Sequence, residues 1–277
     1  MALLEARGLT VSYGGLHAND DIDLDCQTGK LVGLIGPNGA GKTTFIDAIT
    51  GFTPLSAGSV SFDGVDLGDT RPDKRAAMGL VRTFQSLELF EDLTVRDNLL
   101  VAAEKPKWYS FLADIVLPGR GAAAFQDQVD EALEALGLTS LADAHPGDLS
   151  HGQRKLIGVA RALAAKPKLL LLDEPAAGLD TQESQLLGRH LRGFLDLGVS
   201  LFLIDHDMGL VLNVCADIYV LAFGQVIAHG PPAQVRSDPA VISAYLGESA
   251  GEAQAAQGVS TAAAPASAAT EDREATT

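Results

Sequence analysis

"LVGLIGPNGAGKTTFIDAIT", residues 31–50, joins a continuous apolar run to a glycine-rich turn and then to a helical pattern. The run "LVGLIG" (31–36) has no polar face, so it reads as a parallel strand buried on both sides. "GPNGAGKT" (36–43) fits G-x-x-x-x-G-K-[ST], the phosphate-binding loop, and it sits where that motif must sit, after a buried strand and before a helix. The physics is local. Gly36, Gly39 and Gly41 let the chain wrap with its N–H groups inward, and the helix that follows adds about half a positive charge at its N-terminus. Lys42 supplies a full charge for the β- and γ-phosphates, and the Thr43 hydroxyl is placed to ligate Mg²⁺. The candidate binding residues are therefore Gly36, Pro37, Asn38, Gly39, Ala40, Gly41, Lys42, Thr43 and Thr44.

Outward from this stretch, "LLLLDEP" (169–175) and "SLFLID" (200–205) are further buried strands, each followed by a helical pattern. Such alternation gives an α/β fold, a parallel sheet with helices on its faces. Asp173 emerges at the C-terminal end of its strand, the edge where ligands bind in open α/β sheets. It is a candidate Mg²⁺ ligand, and Glu174 beside it is a candidate general base for an attacking water. Residues 3–13, 22–26 and 59–67 alternate apolar and polar, as half-buried strands do, with Gly64 marking a turn. From about 88 to 165 the patterns are helical, which reads as an insert between two halves of the core. Within it, "KPKWYSFLADIVLPGR" (105–120) reads as a surface segment. Residues 249–277 are rich in Ala, Ser and Thr and poor in bulky apolar side chains, so they are expected to form a disordered tail.

Composition narrows the partners. With 47% hydrophobic residues but only 5% aromatics, the core of this 277-residue chain is aliphatic. A net charge of −16 argues against nucleic acid, whose phosphates demand a basic face. Cys26 and Cys215 have no metal-ligand spacing and read as buried hydrophobes. The N-terminus lacks the pattern of a signal peptide, and the apolar runs are far shorter than the roughly 20 residues a bilayer span needs. The expectation is a protein that is soluble, or peripheral through a partner.

"DLSHGQRK" (148–155) precedes the apolar run "LIGVARALAA" and reads as a first helical turn, with Asp148 and Ser150 as N-cap candidates and Gly152 allowing a close approach. A helix start of this kind suits an anion. Taken with the phosphate loop and "LLLLDEP", it makes residues 1–248 resemble an ATP-binding cassette (ABC) ATPase. The resemblance extends in order through Tyr13 in "TVSYGG", Gln85 in "RTFQ", "LSHGQ" (149–153) against the signature LSGGQ, "AGLD" ending at Asp180, and His206 in "LIDHDM". It implies a P-loop NTPase (RecA-like) core with an antiparallel β subdomain and an inserted α-helical subdomain. It also implies roles. Tyr13 stacks on adenine, Gln85 contacts Mg²⁺ and links the site to the helical part, and His206 reaches the γ-phosphate. Asp180 lies in the loop that crosses a dimer interface. Ser150, Gly152 and Gln153 face the ATP of the opposite subunit, so two chains sandwich two ATP molecules. His151 replaces the first glycine of the signature, and its ring must fit at that interface or point away from it. Asp205 is given no role.

The stretches 82–102, 169–180 and 205–235 and the ending "DPAVISAYLGE" (238–248) resemble the ATP-binding subunits of branched-chain amino-acid and related amide importers. That resemblance implies two membrane-spanning permease subunits, a second ATPase subunit (the same chain or a different one), an extracytoplasmic solute-binding protein, and a place on the cytoplasmic face of the membrane. The ATPases of lipopolysaccharide export share much of the pattern. A soluble ABC ATPase, as in iron–sulfur assembly, is the other rival. The DNA-repair members need a long coiled coil for which this chain has no room, and a regulatory module without turnover is at odds with intact Glu174 and His206.

Overall fold

The structure, a computed structural model, describes residues 2–83, 89–104 and 120–245, with the backbone alone for 120–124. It is built on two sheets. The first is antiparallel, in the order β2-β1-β4-β5, from β1 (Ala2–Tyr13), β2 (Leu16–Gln27), β4 (Ala57–Phe62) and β5 (Val65–Asp66). The second has the order β10-β9-β3-β8-β7-β6, from β3 (Leu31–Ile35), β6 (Leu80–Arg82), β7 (Leu169–Asp173), β8 (Ser200–Ile204), β9 (Asp217–Ala222) and β10 (Gln225–Gly230). Strands β9, β3, β8, β7 and β6 run parallel, as the apolar runs suggest. β10 is antiparallel to β9, because a two-residue turn can only reverse the chain.

The continuous apolar runs are explained by two cores, one on each face of the second sheet. Val32, Leu34, Leu169, Leu171, Phe202 and Ile204 face the first sheet and helix α1 (Lys42–Thr50). Leu31, Ile35, Leu170, Leu172, Leu201 and Leu203 face the helical side. Strict alternation in a strand sends neighbours to opposite faces, so a strand covered on both must be apolar at every position. Cys26 and Cys215 are free and buried. Burial pushes the Cys26 thiol up to about 12, and burial together with the charge of Asp205 pushes Cys215 up as well, so neither forms a reactive thiolate.

The inserted region contributes α3 (Val95–Ala103), α4 (Arg120–Ala135) and α5 (His151–Ala164), with α2 (Pro72–Ala77) earlier in the chain and α6 (Thr181–Asp196), α7 (Met208–Val214) and α8 (Pro232–Ser237) after it. Helices α3, α4 and α5 pack on one another through Val95, Leu99, Val129, Leu133 and Ile157. Arg96 pairs with Asp130 at 2.7 Å across α3 and α4. The tail expected over 249–277 and the segment 105–119 lie outside the described residues.

Asn98 fixes the entry to the helical region. It is fully buried; its Oδ1 accepts from the Phe90 N–H at 2.9 Å, and its Nδ2 donates to the carbonyls of Phe90 (3.0 Å) and Thr94 (3.0 Å). Replacing it strands these groups away from water. Asn98→Ala is expected to lower unfolding stability by about 2–4 kcal/mol, read as a shifted urea midpoint at unchanged slope. An unchanged midpoint contradicts this.

Candidate active site

Strand β3 ends at the glycine-rich loop, and the loop ends in α1. At Gly36 (φ +155°) a Cβ would collide with the Leu221 carbonyl oxygen of β9, so only glycine lets the loop turn away here. Gly41 (φ +103°) is the N-cap of α1 and is held against β2, its carbonyl accepting from Asn19 Nδ2 at 3.1 Å. Helices α3, α5, α6 and α7 all begin with a side-chain cap, on Thr94, Ser150, Asp180 and Asp207. Helix α1 has none, and no acidic residue in its first turn. The start of α1 therefore carries no side-chain cap and no first-turn acid to compete with an oxyanion, which a helix N-terminus favours. Lys42 is nearly buried and folds back over the loop, its Nζ donating to the carbonyls of Gly36 (2.6 Å) and Pro37 (2.9 Å). Asn38, Gly39 and Thr43 are exposed, Pro37 and Thr44 partly so, and Ala40 is buried.

The neighbouring strand ends supply carboxylates. Asp173, at the end of β7, is buried and accepts from Arg82 Nη2 at 2.7 Å. Arg82 also pairs with Asp47 of α1, which ties the phosphate-loop helix to the carboxylate strand. Glu174 lies in the left-handed region (φ +49°), with its N–H donating to the Ile204 carbonyl at 2.7 Å. That conformation is uncommon outside glycine and asparagine, and here the sheet edge enforces it. His206, at the end of β8 and 62% exposed at its side chain, brings Nδ1 to 4.0 Å from Glu174 Oε2 and 3.7 Å from Asp205 Oδ1. The fully buried Asp205 accepts from the N–H groups of Ala176 (3.0 Å) and Asp207 (2.9 Å). It thus fastens the segment after Glu174 to the segment after His206.

The start of α5 meets the same segment from the other side. Ser150 is its N-cap, and Asp148 lies in a short 3₁₀ turn instead. Ser150 Oγ accepts from the Gln153 N–H at 3.2 Å and the Ser150 N–H donates to Gln153 Oε1 at 2.9 Å, a reciprocal capping box. The space a Cβ on Gly152 would need is filled by the Glu183 carboxylate, so what approaches closely at this glycine is α6. Glu183 in turn accepts from the Asp180 N–H at 3.1 Å, while Asp180 caps α6 through the N–H groups of Gln182 and Glu183. The exposed His151 ring lies over Gly178. Lys155 Nζ donates to the Ala177 carbonyl and, at 3.4 Å, to that of Glu174. Burial pulls the Lys155 ammonium below its usual range, opposed by the charges of Asp205 and Glu174.

The chain thus brings Lys42, Asp173, Glu174 and His206 to one edge of one sheet. Tyr13 stands exposed at the tip of the β1–β2 hairpin. Gln85 lies outside the described residues. Thr83, just before it, accepts from the Asp173 N–H at 3.3 Å. Ser150, Gly152, Gln153 and Asp180 gather instead beside the segment after Glu174. The sequence reading missed Arg82, Lys155 and Asp205. Asp205 adjoins His206 and could have been found by asking what holds that histidine's turn; the other two carry no local signal, since their partners are 91 and 22 residues away.

The chain matches the family described as ABC transporter over residues 19–177 and the one described as branched-chain amino acid ATP-binding cassette transporter over residues 225–251. It is 38% identical over 252 residues to the high-affinity branched-chain amino acid transport ATP-binding protein BraF of Pseudomonas aeruginosa, covering 89% of this chain and 98% of the relative. LivG of Escherichia coli K12, of the same description, is 36% identical over 89% of this chain and 98% of its own. The lipopolysaccharide export system ATP-binding protein LptB of the same organism is 34% identical, covering 90% and 98%. A crystal structure of the ADP conformation of an ATP-binding cassette of an ABC transporter superposes with a TM-score of 0.79 at 32% identity, covering 90% of this chain and all of that one. The chain belongs to the ABC transporter family of ATP-binding cassettes, and it is an ATPase of the P-loop NTPase fold.

The Arg82–Asp173 pair gives a direct test of how the two halves of the site are joined. Arg82→Ala leaves a buried carboxylate unpaired and is expected to cost about 3–5 kcal/mol of folding stability, measured by denaturant unfolding. Asp173→Asn in the Arg82→Ala background recovers part of that loss, because it removes the stranded charge. Equal stability of wild type and Arg82→Ala contradicts the pairing.

Proposed function

We propose that this chain is the ATP-hydrolysing subunit of an importer of branched-chain amino acids or related amino acids and amides. It works in a dimer with a second ATPase subunit, identical or homologous, on the cytoplasmic face of the membrane. Two membrane-spanning permease subunits carry the substrate, and an extracytoplasmic solute-binding protein delivers it. Among the described residues no helix is long and apolar enough to cross a membrane, so attachment through permeases supplies the membrane link. The match over residues 225–251 and the names of BraF and LivG favour this branch over lipopolysaccharide export.

In this reading the amides of Gly36, Pro37, Asn38, Gly39, Ala40 and Gly41, the leading turn of α1 with Thr43 and Thr44, and Lys42 hold the phosphates. Lys42 exchanges its loop carbonyls for phosphate oxygens. Tyr13 stacks on the base. Thr43, Gln85 and Asp173 are the ligands for Mg²⁺. A hydroxyl, an amide and a carboxylate are hard oxygen donors of the kind Mg²⁺ takes. Mg²⁺ sites on nucleotides combine a few protein oxygens with phosphate oxygens, and these side chains would supply the protein's share. When bound, the ion neutralises charge developing on the transferred phosphoryl group.

Glu174 orients and deprotonates the attacking water. His206 donates to the γ-phosphate and steadies that water, and Asp205 keeps the two loops in register. Ser150, Gly152 and Gln153 present the start of α5 to the γ-phosphate held by the partner, and Asp180 lies at the shared surface. ATP then bridges two chains where ADP does not, and that differential contact closes the dimer on binding and opens it on hydrolysis. The observation that carries the ATPase reading is the approach of His206 to Glu174, 4.0 Å apart, just beyond the ends of β8, which adjoins the phosphate-loop strand β3, and of β7, which adjoins β8.

Glu174→Gln is expected to bind ATP, to slow turnover by roughly 10²–10⁴-fold, and to elute as a dimer with ATP and as a monomer with ADP on size exclusion. Wild-type turnover in this variant removes Glu174 from its role. For the transport assignment, a tagged chain purified from its own membranes is expected to bring down two multi-span proteins, and its deletion to abolish uptake of labelled leucine. Recovery of soluble partners alone, with uptake intact, overturns the importer reading.

A further inference from the structure

Among the described residues, three hairpins close through two-residue turns whose central residues both have positive φ: Gly14–Gly15, Asp63–Gly64 and Phe223–Gly224. Such type I′ turns favour Gly, Asn or Asp at the first position. The first two obey. Phe223, at φ +50°, does not, and it is 92% exposed, more than any other large apolar residue described. A bulky aromatic in the left-handed region, with its ring in water, serves neither the turn nor the core.

Its position is informative. β9 runs parallel to β3, so its end, like the phosphate loop, lies at the C-terminal edge of the sheet. Strand order puts β8 and β7, with His206 and Glu174, on one side of β3, and β9 with Phe223 on the other. The turn is fastened there. The Gly224 N–H donates to the Ala40 carbonyl of the phosphate loop at 3.0 Å, and the Asp20 N–H donates to the Gly224 carbonyl at 2.9 Å. The Ala18 carbonyl packs against both Gly41 and Gly224. Ala18 follows the hairpin tip, where Tyr13 (55% exposed) and Leu16 (71%) also stand in solvent. A triphosphate whose γ end faces Glu174 and His206 directs its base to this opposite side.

We infer that Phe223 is a nucleotide-binding residue: with Tyr13 and Leu16 it forms an exposed apolar edge on which the base of the bound adenine nucleotide rests. The inference rests on the reading of residues 36–43 as the phosphate site. Base–aromatic contact uses the π face of the ring, which a fully exposed phenyl offers.

The test uses the full chain, with ADP and pyrophosphate as probes matched in phosphate number, titrated calorimetrically. Phe223→Asn restores the Asn-Gly pair the turn prefers, so its melting temperature without ligand is expected to equal or exceed that of the wild type. Its ADP affinity is expected to fall roughly ten-fold, as for loss of one base–aromatic stack, while its pyrophosphate affinity stays unchanged. Phe223→Tyr retains ADP affinity. Unchanged ADP affinity in Phe223→Asn overturns the inference, leaving the ring to a protein partner. Parallel loss of ADP and pyrophosphate also overturns it, because the ring then acts on the loop's shape. A wild-type chain that binds neither probe overturns the phosphate-loop reading itself, and this inference with it.

Discussion

Everything in this chain depends on an unfinished helix. Helix α1 begins at the edge of a buried parallel sheet with no side-chain cap and no acid in its first turn. Its first residue, Lys42, donates to the carbonyls of Gly36 and Pro37. A helix start and an ammonium group placed together make a concentrated positive field inside a chain of net charge −16. The remaining architecture holds that field in place. β9 leaves no room for a side chain at Gly36, β2 and Asn19 pin Gly41, and the Arg82 fork joins α1 to the strand that bears Asp173.

A second arrangement surrounds the segment from Glu174 to Asp180. Asp205 holds Ala176 from the His206 side, while Lys155 holds Ala177 from the start of α5. His151 and Gly178 meet on the same side, and Glu183 seats Gly152 against α6. The carboxylate proposed to act on water and the helix start proposed to face a partner's phosphate are therefore two ends of one bonded unit. Lys155 of α5 donates to the carbonyls of Ala177 and Glu174, so the backbone of the Glu174 segment is bonded directly to that helix. The ring of His151, which departs from the signature, is exposed and lies beside Gly178.

Much of this was legible in the sequence because it is local. The run 31–50 announces strand, loop and helix in order, and "LLLLD" announces a strand covered on both faces with its acid at the end. The N-cap at 150 was narrowed to two residues, and the structure selects Ser150 over Asp148. What stayed hidden is long-range or irregular. Arg82 and Asp173 are 91 residues apart, and no periodicity links them. Asp205 looks like a filler beside His206 until its two backbone partners are seen. The β9–β10 reversal hid because its turn lacks the Asn-Gly or Asp-Gly signal that marks such hairpins, and Phe223 stands in that place.

The central claim is that binding energy for the nucleotide comes from the field at residues 36–44. Calorimetric titration of MgATP into the wild-type chain and into Lys42→Ala tests it most directly. The account predicts micromolar affinity for the wild type and a loss of at least about 100-fold, roughly 3 kcal/mol, in the variant, the scale of a removed charged hydrogen-bond donor, with unchanged secondary structure by circular dichroism. Equal affinity in the two proteins would contradict it, and would place the nucleotide somewhere other than the end of β3.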